Sequence, residues 1–412
     1  MNADSLPSAV SRRTVVAVVA ATTAAQVAAV MGSSAFPVIA PALALTLGVE
    51  PSLVGYQVSL IYGTAMAGSP FMGNLVPRWG ACRAMQVGLI TTVLGLLLAM
   101  TAGLAEIIAG SVLLGLSLSV MQPASAHLLF RFSPPENRNL IFSIKQTGIP
   151  LGWALMGAIA PAVTVALGWR WALGVVVIAS LATAAAIQLP RAAWDDDRGA
   201  SAGARRGLLA GLRLVWRYPA LRWLSLMSFC FAFVQLCFAT FGVTMLVEDI
   251  GYSLVAAGFL LSLVFAAGVT ARILWGWVAD LVGDSLLVLV ALGLVMVICC
   301  ILLTFISGAW PGWALMVLFV VFGATGVSWN GIFIAEAARL APQGQVSSAV
   351  GGAMVWNFGG VLAGPALFAL TYKLVGSYTG TFWLLVLVGV TGCSFLAAAF
   401  AMTRPARATA SG

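Results

Sequence analysis

Long apolar segments alternate with short polar ones along the whole chain. Twelve segments stay apolar over about 20 residues or more, the length that a helix needs to cross the hydrocarbon core of a bilayer. They cover residues 14–40, 51–75, 83–102, 106–131, 139–166, 169–190, 219–247, 253–276, 285–307, 311–338, 347–373 and 379–402. Because backbone polar groups inside lipid must be bonded within their own segment, the pattern predicts an all-α membrane protein with twelve transmembrane helices.

The longest polar interval divides these helices into two sets of six. Residues 1–190 are predicted to form an N-terminal six-helix bundle, residues 219–412 a C-terminal one, and residues 191–218 a cytoplasmic linker. The second part of the linker interleaves leucines with arginines at near-helical spacing, which predicts an amphipathic helix on the inner membrane surface. Its arginines are expected near anionic headgroups; they are Arg205, Arg206, Arg213 and Arg217.

Composition and charge agree with this topology. Of the 412 residues, 61% are hydrophobic and only 8% are charged, whereas a soluble domain carries about 25% charged residues. If the N-terminus is inside, Arg170 and Lys373 are the only basic residues that fall in outer segments. The positive-inside rule therefore predicts that both termini are cytoplasmic, in a multi-pass protein of the bacterial inner (plasma) membrane. The net charge of +8 follows from this bias, so nucleic-acid binding is not expected.

The reactive residue types do not form a catalytic pattern. The six cysteines lie mostly within apolar segments and lack the spacing of metal ligands, so free thiols are expected. His127 is the only histidine, and it cannot build a metal site alone. With no acidic pair or nucleophile motif either, we expect no enzyme activity, no metal and no cofactor.

The loops after the second and eighth predicted helices carry related motifs. The later copy reads GWVADLVGD, which contains Gly276 and Asp280, with Arg272 one turn earlier. The earlier copy reads GNLVPRWGACR, which contains Arg78 but has Pro77 where the other copy has its aspartate. With these motifs and its six-plus-six helices, the chain resembles the major facilitator superfamily of secondary transporters over essentially its whole length.

The resemblance implies a fold and a set of gate residues. It implies two six-helix bundles related by pseudo-twofold symmetry and an alternating-access mechanism. Asp280 would cap a neighbouring helix end and latch the inner gate, while Arg272 and Arg78 would belong to the same gate. The first-half motif departs from the family pattern at Pro77.

Further gate candidates lie where predicted helices 4 and 10 end. Aligning the turns that follow these helices places Arg131 on Arg339, as expected for a repeat. Glu336 is a candidate partner for Arg131, Arg339 or His127. His127 is also a candidate proton carrier, because imidazole titrates near neutral pH.

Lys145 is the main candidate for chemistry inside an apolar segment. It shares a helix face with Gly148 and Gly152, which predicts that it faces other helices. Pro150 removes an N–H and frees the carbonyl of Gln146, so a polar notch is expected here. The alternative is that the long lysine side chain snorkels to the inner surface.

Other polar and aromatic residues are candidates for binding a substrate beside Lys145 and Gln146. They interrupt apolar segments or share a face with glycines, and the alternative for each is a contact that only joins two helices. They are Gln26, Gln57, Gln122, Asn330, Trp356 and Asn357.

A buried cation without a carboxylate partner favours an anionic substrate. The leading hypothesis is a monomeric secondary transporter of a small organic anion such as a carboxylate, with proton-coupled symport left open. The alternative is an exporter of amphipathic or drug-like compounds. The resemblance argues against it, because drug antiporters of that family usually have an arginine inside helix 4, and predicted helix 4 has none before Arg131 at its inner end. A membrane enzyme or a sensor is a third, less supported hypothesis.

Overall fold

The computed structural model describes residues 11–134, 138–197, 208–343 and 345–408, and these residues form a helical fold. We number its helices in chain order. They are α1 (Arg12–Leu47), α2 (Val54–Trp79), α3 (Ala81–Ala99), α4 (Leu104–Phe132), α5 (Arg138–Gln146), α6 (Gly148–Leu167), α7 (Trp169–Gln188), α8 (Arg191–Trp194), α9 (Leu208–Arg217), α10 (Pro219–Glu248), α11 (Leu254–Val282), α12 (Ser285–Thr304), α13 (Gly312–Gly326), α14 (Asn330–Arg339), α15 (Val346–Val375) and α16 (Tyr378–Ala408). A 3₁₀ turn at Pro51–Leu53 precedes α2.

All twelve predicted spans are helical. Eleven segments of the described residues are long and apolar enough to cross a membrane, and the span predicted at 51–75 forms α2. The fold class predicted from the sequence is therefore confirmed. The predicted linker helix is present as α9, while Arg205 and Arg206 lie outside the described residues.

Two predicted spans are interrupted rather than continuous. The span at 139–166 divides into α5 and α6 at Thr147, where Pro150 has no N–H to donate to the carbonyl of Gln146. The span at 311–338 divides into α13 and α14 around residues 327–329. Broken helices at membrane depth require other donors for the carbonyls that they free.

The chain forms two compact units by its contacts. One unit comprises Met1–Ser33, Thr64–Gly152 and Leu173–Gly203, and the other comprises Ser34–Gly63, Trp153–Ala172 and Ala204–Gly412. These units are defined by contacts and not by counting spans, so the bundle boundaries at 190 and 219 stay predictions.

The first unit packs mainly through α3 and α4. Their buried side chains form one apolar cluster that also includes residues of α1 and α8. Gly95 and Gly110 lie against each other's backbone, and this brings the two helices into close contact. Thr92 also donates to Ser117 at 2.7 Å, which adds a polar contact between α3 and α4.

The second unit is organised around α10. Phe238 of α10 contacts Phe319, Phe322 and Phe382, with ring centroids at 5.2, 4.0 and 6.3 Å. This unit also includes parts of α2 and α6, and Ser59 of α2 accepts a hydrogen bond from the amide of Ala366 at 3.1 Å. Contacts between aromatic rings therefore contribute to the packing of this core.

Candidate functional site

The ammonium of Lys145 lies in a cage of three glutamine side chains. Its Nζ donates to Oε1 of Gln122 at 2.7 Å, of Gln26 at 3.0 Å and of Gln146 at 3.4 Å. Nε2 of Gln122 also donates to Oε1 of Gln146 at 3.3 Å, which links two walls of the cage. Lys145 is 2% exposed. Its ammonium is therefore held between helices and does not extend to a surface.

Small residues and a helix break place the lysine there. A side chain at Gly148 would meet the carbonyl of Thr23 and the Cβ of Gln26, and one at Gly152 would overlap Val30. These glycines let α6 approach α1 closely, as the sequence pattern predicts. The helix α5 ends at Gln146, immediately before the break at Thr147. The side chains of Lys145 and Gln146 therefore both lie at the end of α5 and take part in the cage.

The cage supplies dipoles but no counter-charge. Amide oxygens accept all three N–H groups of an ammonium without cancelling its charge. Among the salt bridges of the described residues, none involves Lys145. A buried charge that is hydrogen-bonded but not paired is costly to hold, so a bound anion would be favoured here. Gln122 and Gln146 are only partly buried, so the cage is less enclosed on their side than at Gln26.

The structure brings together four of the predicted substrate-binding residues in the first unit, and the others belong to the second unit. Lys145, Gln146, Gln26 and Gln122 form the cage, whereas Gln57 belongs to the second unit. The substrate-binding roles of all these residues stay predictions.

A second polar group, in the other unit, centres on Gln235 of α10. Its Oε1 accepts from Nε1 of Trp329 and from Nδ2 of Asn330, both at 3.1 Å. Trp329 is fully buried, with its ring near those of Phe231 and Phe333. Asn330 therefore joins α14 to α10. A contact between two helices was the alternative to substrate binding for this residue.

Trp356 and Asn357 are adjacent in α15. The ring of Trp356 is 5.4 Å from that of Trp216 in α9. Asn357 is buried, and its Nδ2 has no hydrogen-bond partner among the described residues. A substrate-binding role for either residue stays a prediction.

Arg272 donates a hydrogen bond to the backbone of the broken span in the second unit. Its Nη2 donates to the carbonyl of Val327 at 3.0 Å, and Nε1 of Trp275 donates to that of Ala324 at 2.7 Å. Both acceptors lie where α13 ends, and α11 supplies both donors. Arg272 therefore stabilises the irregular backbone between α13 and α14.

His127 and Arg131 pair with the acidic start of the linker. Nε2 of His127 lies 2.7 Å from Oδ2 of Asp197. Arg131 contacts Asp196 at 2.5 Å and Asp197 at 3.1 Å, and it donates to the carbonyl of Trp194 at 3.1 Å. The partners of His127 and Arg131 are thus linker aspartates rather than Glu336.

Glu336 pairs with Arg339, one of its three candidate partners. Arg339 donates through Nε at 2.7 Å and through Nη2 at 2.5 Å. The side chain of Glu336 is fully buried and that of Arg339 is 49% exposed. The buried carboxylate of Glu336 is therefore stabilised by two hydrogen bonds from the half-exposed guanidinium of Arg339.

The aspartates and Arg78 of the paired loops differ in their contacts. Asp284 caps α12 by accepting from the amides of Leu286 and Leu287 at 3.0 and 3.3 Å. Asp280 is exposed in the last turn of α11, and Arg78 is exposed in the last turn of α2. Neither forms a salt bridge with a described residue. Their gate roles stay predictions.

A long-range helix cap was missed by the sequence analysis. Asp195 accepts from the amides of Cys82 at 2.8 Å and of Arg83 at 3.1 Å, at the N-terminus of α3. The N-cap position itself is Gly80, whose φ of 92° favours glycine and whose missing side chain leaves room for the aspartate. Burial raises the pKa of the Asp195 carboxyl, and the hydrogen bond from Cys82 opposes that rise. The run of three aspartates after α8 was the available signal.

Apolar helices of membrane-crossing length, two spans with a broken helix and a buried cation cage are typical of multi-pass transport proteins. The family model of the Major Facilitator Superfamily matches residues 22–363, and the chain belongs to this family.

Solved structures of transporters share this fold. A bacterial homologue of the human lysosomal transporter Spinster, in an inward-facing and occupied conformation, matches with a TM-score of 0.70 and 14% identity, over 94% of this chain and 97% of that chain. The peptide transporter POT in complex with sulfate matches with a TM-score of 0.72 and 16% identity, over 94% and 95%. A variant of POT in complex with alafosfalin gives 0.72 and 15%, over 93% and 94%. Comparison with curated proteins gives no significant match. At these identities the likeness shows the fold alone.

Proposed function

We propose that this protein transports a small organic anion, most simply a carboxylate, across the bacterial inner membrane by alternating access. The observation that carries the proposal is Lys145, an ammonium that is 2% exposed and held only by amide oxygens of the described residues. A carboxylate would supply the missing charge and would accept a charge-assisted hydrogen bond. Proton coupling, with His127 as a carrier, is a subsidiary proposal.

The geometry supports a specific route for the anion. Gln26 is 3% exposed, whereas Gln122 and Gln146 are partly exposed. The contact of Lys145 with Gln146 is the longest of the three at 3.4 Å, so it is the easiest to replace. An anion that displaces the Gln146 oxygen would leave the other two contacts in place.

The first experiment identifies a ligand. The purified protein is heated in detergent with carboxylates, amino acids, sugars and amphipathic drugs, because a ligand that binds the folded state raises the unfolding temperature. We expect stabilisation by carboxylates. Stabilisation by uncharged or cationic amphipathic compounds alone would favour the exporter hypothesis instead.

The second experiment tests the lysine in proteoliposomes. Lys145→Met keeps the bulk of the side chain and removes its charge. Loss of a hydrogen bond to a charged group costs about 1.5–3 kcal/mol, so uptake of the identified anion should fall by about 10-fold or more. The chain offers a matched control, since Lys373 is its only other lysine and is exposed near the end of α15. Lys373→Met should transport like wild type.

Two results separate a binding defect from a folding defect. Lys145→Arg keeps the positive charge and should retain more uptake than Lys145→Met. Unfolding temperature without ligand reports whether either variant is misfolded. A well-folded Lys145→Met protein that takes up every anionic ligand at the wild-type rate would refute the proposal.

A further inference from the structure

The helix α9 in the linker has one face packed on α15 and one exposed basic face. Gly211, Leu214 and Val215 are buried, and Gly352 of α15 lies against the backbone of Gly211 and the side chain of Val215. The exposed face carries Arg213, Trp216 and Arg217. These three positions are spaced as one helix face requires.

This exposed face has surplus positive charge around a half-exposed indole. Trp216 is 53% exposed, and the guanidinium of Arg222 lies 5.6 Å from the centre of its ring. Among the described residues, no carboxylate forms a salt bridge with Arg213, Arg217 or Arg222. The exposed guanidinium groups of Arg213 and Arg217 therefore remain available to an outside anion.

The residue types identify the chemistry of that anion. Arginine binds phosphate oxygens in a bidentate manner. A tryptophan that is partly exposed beside arginines is typical of the boundary between headgroups and acyl chains. The helix lies in the chain between α8 and α10, and α10 is long and apolar enough to cross a membrane, so the sequence places α9 near the lipid surface.

We propose that the exposed face of α9 is a binding site for the headgroup of an anionic phospholipid. Arg213 and Arg217 contact the phosphate, and Trp216 lies at the glycerol level. This inference is independent of the transported substrate, because none of these side chains belongs to the Lys145 cage.

The packing of α9 gives the lipid a route to the transport machinery. Trp216 is 5.4 Å from Trp356, which immediately precedes the buried Asn357 in α15. Lipid binding to α9 thus favours the position of α15 in which Trp356 keeps its contact with Trp216. By linkage, a change in α15 alters the affinity for the lipid by the same factor.

The experiment measures lipid binding to the full-length protein in neutral detergent. Unfolding temperature is followed while short-chain phosphatidylglycerol, phosphatidylcholine or inorganic phosphate is added. We expect phosphatidylglycerol to stabilise the wild type most. Each arginine near the lipid surface should contribute about 5-fold in affinity, so Arg213→Gln/Arg217→Gln should weaken binding about 30-fold.

A matched control removes the same charge elsewhere. Arg12 and Arg13 are adjacent and exposed at the start of α1, and they are predicted to lie on the same side of the membrane. Arg12→Gln/Arg13→Gln should bind phosphatidylglycerol nearly as well as wild type. An equal loss in both double variants would mean general charge attraction and would refute the site on α9.

The remaining outcomes are also decisive. Equal stabilisation by inorganic phosphate would indicate a soluble anion site and would overturn the lipid assignment, as would equal stabilisation by phosphatidylcholine. If Arg213→Gln/Arg217→Gln unfolds early without lipid, Arg213→Lys/Arg217→Lys replaces it. Because that variant keeps the charge but not the planar fork of the guanidinium, it should bind phosphatidylglycerol more weakly than wild type. Binding equal to wild type would show that charge alone matters and would refute the bidentate contact.

Discussion

Replacing Asp195 by alanine should destabilise the first unit through the N-terminus of α3. The first turn of a helix has amides without partners, and here Gly80 occupies the capping position without a side chain. Asp195 supplies both carboxylate oxygens instead, to Cys82 at 2.8 Å and to Arg83 at 3.1 Å. Asp195→Ala therefore leaves two amides of a buried helix end without acceptors.

The expected loss is the sum of opposing contributions. A helix cap contributes about 0.5–2 kcal/mol, and a negative charge at a helix N-terminus contributes about 0.3–1 kcal/mol. The burial of Asp195, which is 6% exposed, offsets part of this gain because the carboxylate loses hydration. We expect a net loss of about 1–2 kcal/mol for Asp195→Ala. Asp195→Asn keeps an acceptor oxygen and should lose about half as much.

The assay is thermal unfolding of the purified protein in neutral detergent, followed by tryptophan fluorescence. In a chain of 412 residues, a loss of this size should lower the unfolding temperature by about 1–2 °C. The neighbouring Asp196→Ala is a matched control, because that side chain is 57% exposed and forms a surface salt bridge with Arg131. Exposed pairs contribute about 0–1 kcal/mol, so Asp196→Ala should change the temperature less. Equal temperatures for Asp195→Ala and wild type would refute the capping argument.

Three further predictions use the same unfolding assay. Because burial raises the pKa of Asp195, the folded state binds the carboxyl proton more tightly than the unfolded state does. The stability of the wild type relative to Asp195→Asn should therefore increase as the pH falls through the raised pKa towards about 4. A stability difference independent of pH would contradict this prediction. A side chain at Gly323 would overlap the backbone of α11, so Gly323→Ala should cost about 1–3 kcal/mol, whereas Gly276→Ala, at an open position inside a helix, should be neutral or stabilising. Arg339→Gln leaves the buried carboxylate of Glu336 without its partner and should cost about 1–3 kcal/mol of stability. Glu336→Gln removes that charge, so it should cost less. A larger loss for Glu336→Gln would refute the described pairing.

The helices could be predicted from the sequence because membrane spans follow a local rule. An apolar segment of sufficient length forms a helix in lipid whatever its neighbours are, so all twelve spans were found. The helix break near Pro150 was predictable for the same reason, since the missing N–H acts four residues away. The break between α13 and α14 was not, because it depends on Arg272 and Trp275 of another helix, which supply donors to Val327 and Ala324.

The candidate site was predicted in its composition more than in its contacts. Lys145 stood out as a charge on a small-residue face, and Gln26 and Gln122 stood out as polar residues in apolar spans. Their meeting depends on the packing of α1, α4 and α5, with partners 119 and 23 residues away from the lysine. Sequence rules for capping are equally local, so they could not find Asp195, which lies 113 residues from Cys82.

The linker helix shows why an amphipathic pattern alone does not name a partner. The buried residues Gly211, Leu214 and Val215 give the same apolar face whether lipid or another helix covers it. In the structure that face meets Gly352 of α15, and the lipid is left with the basic face on the opposite side. The spacing of leucines and arginines predicted the helix, but it did not show that α15 covers its apolar face. The packing divides these two roles, and the exposed basic face can therefore respond to lipid while the apolar face follows α15.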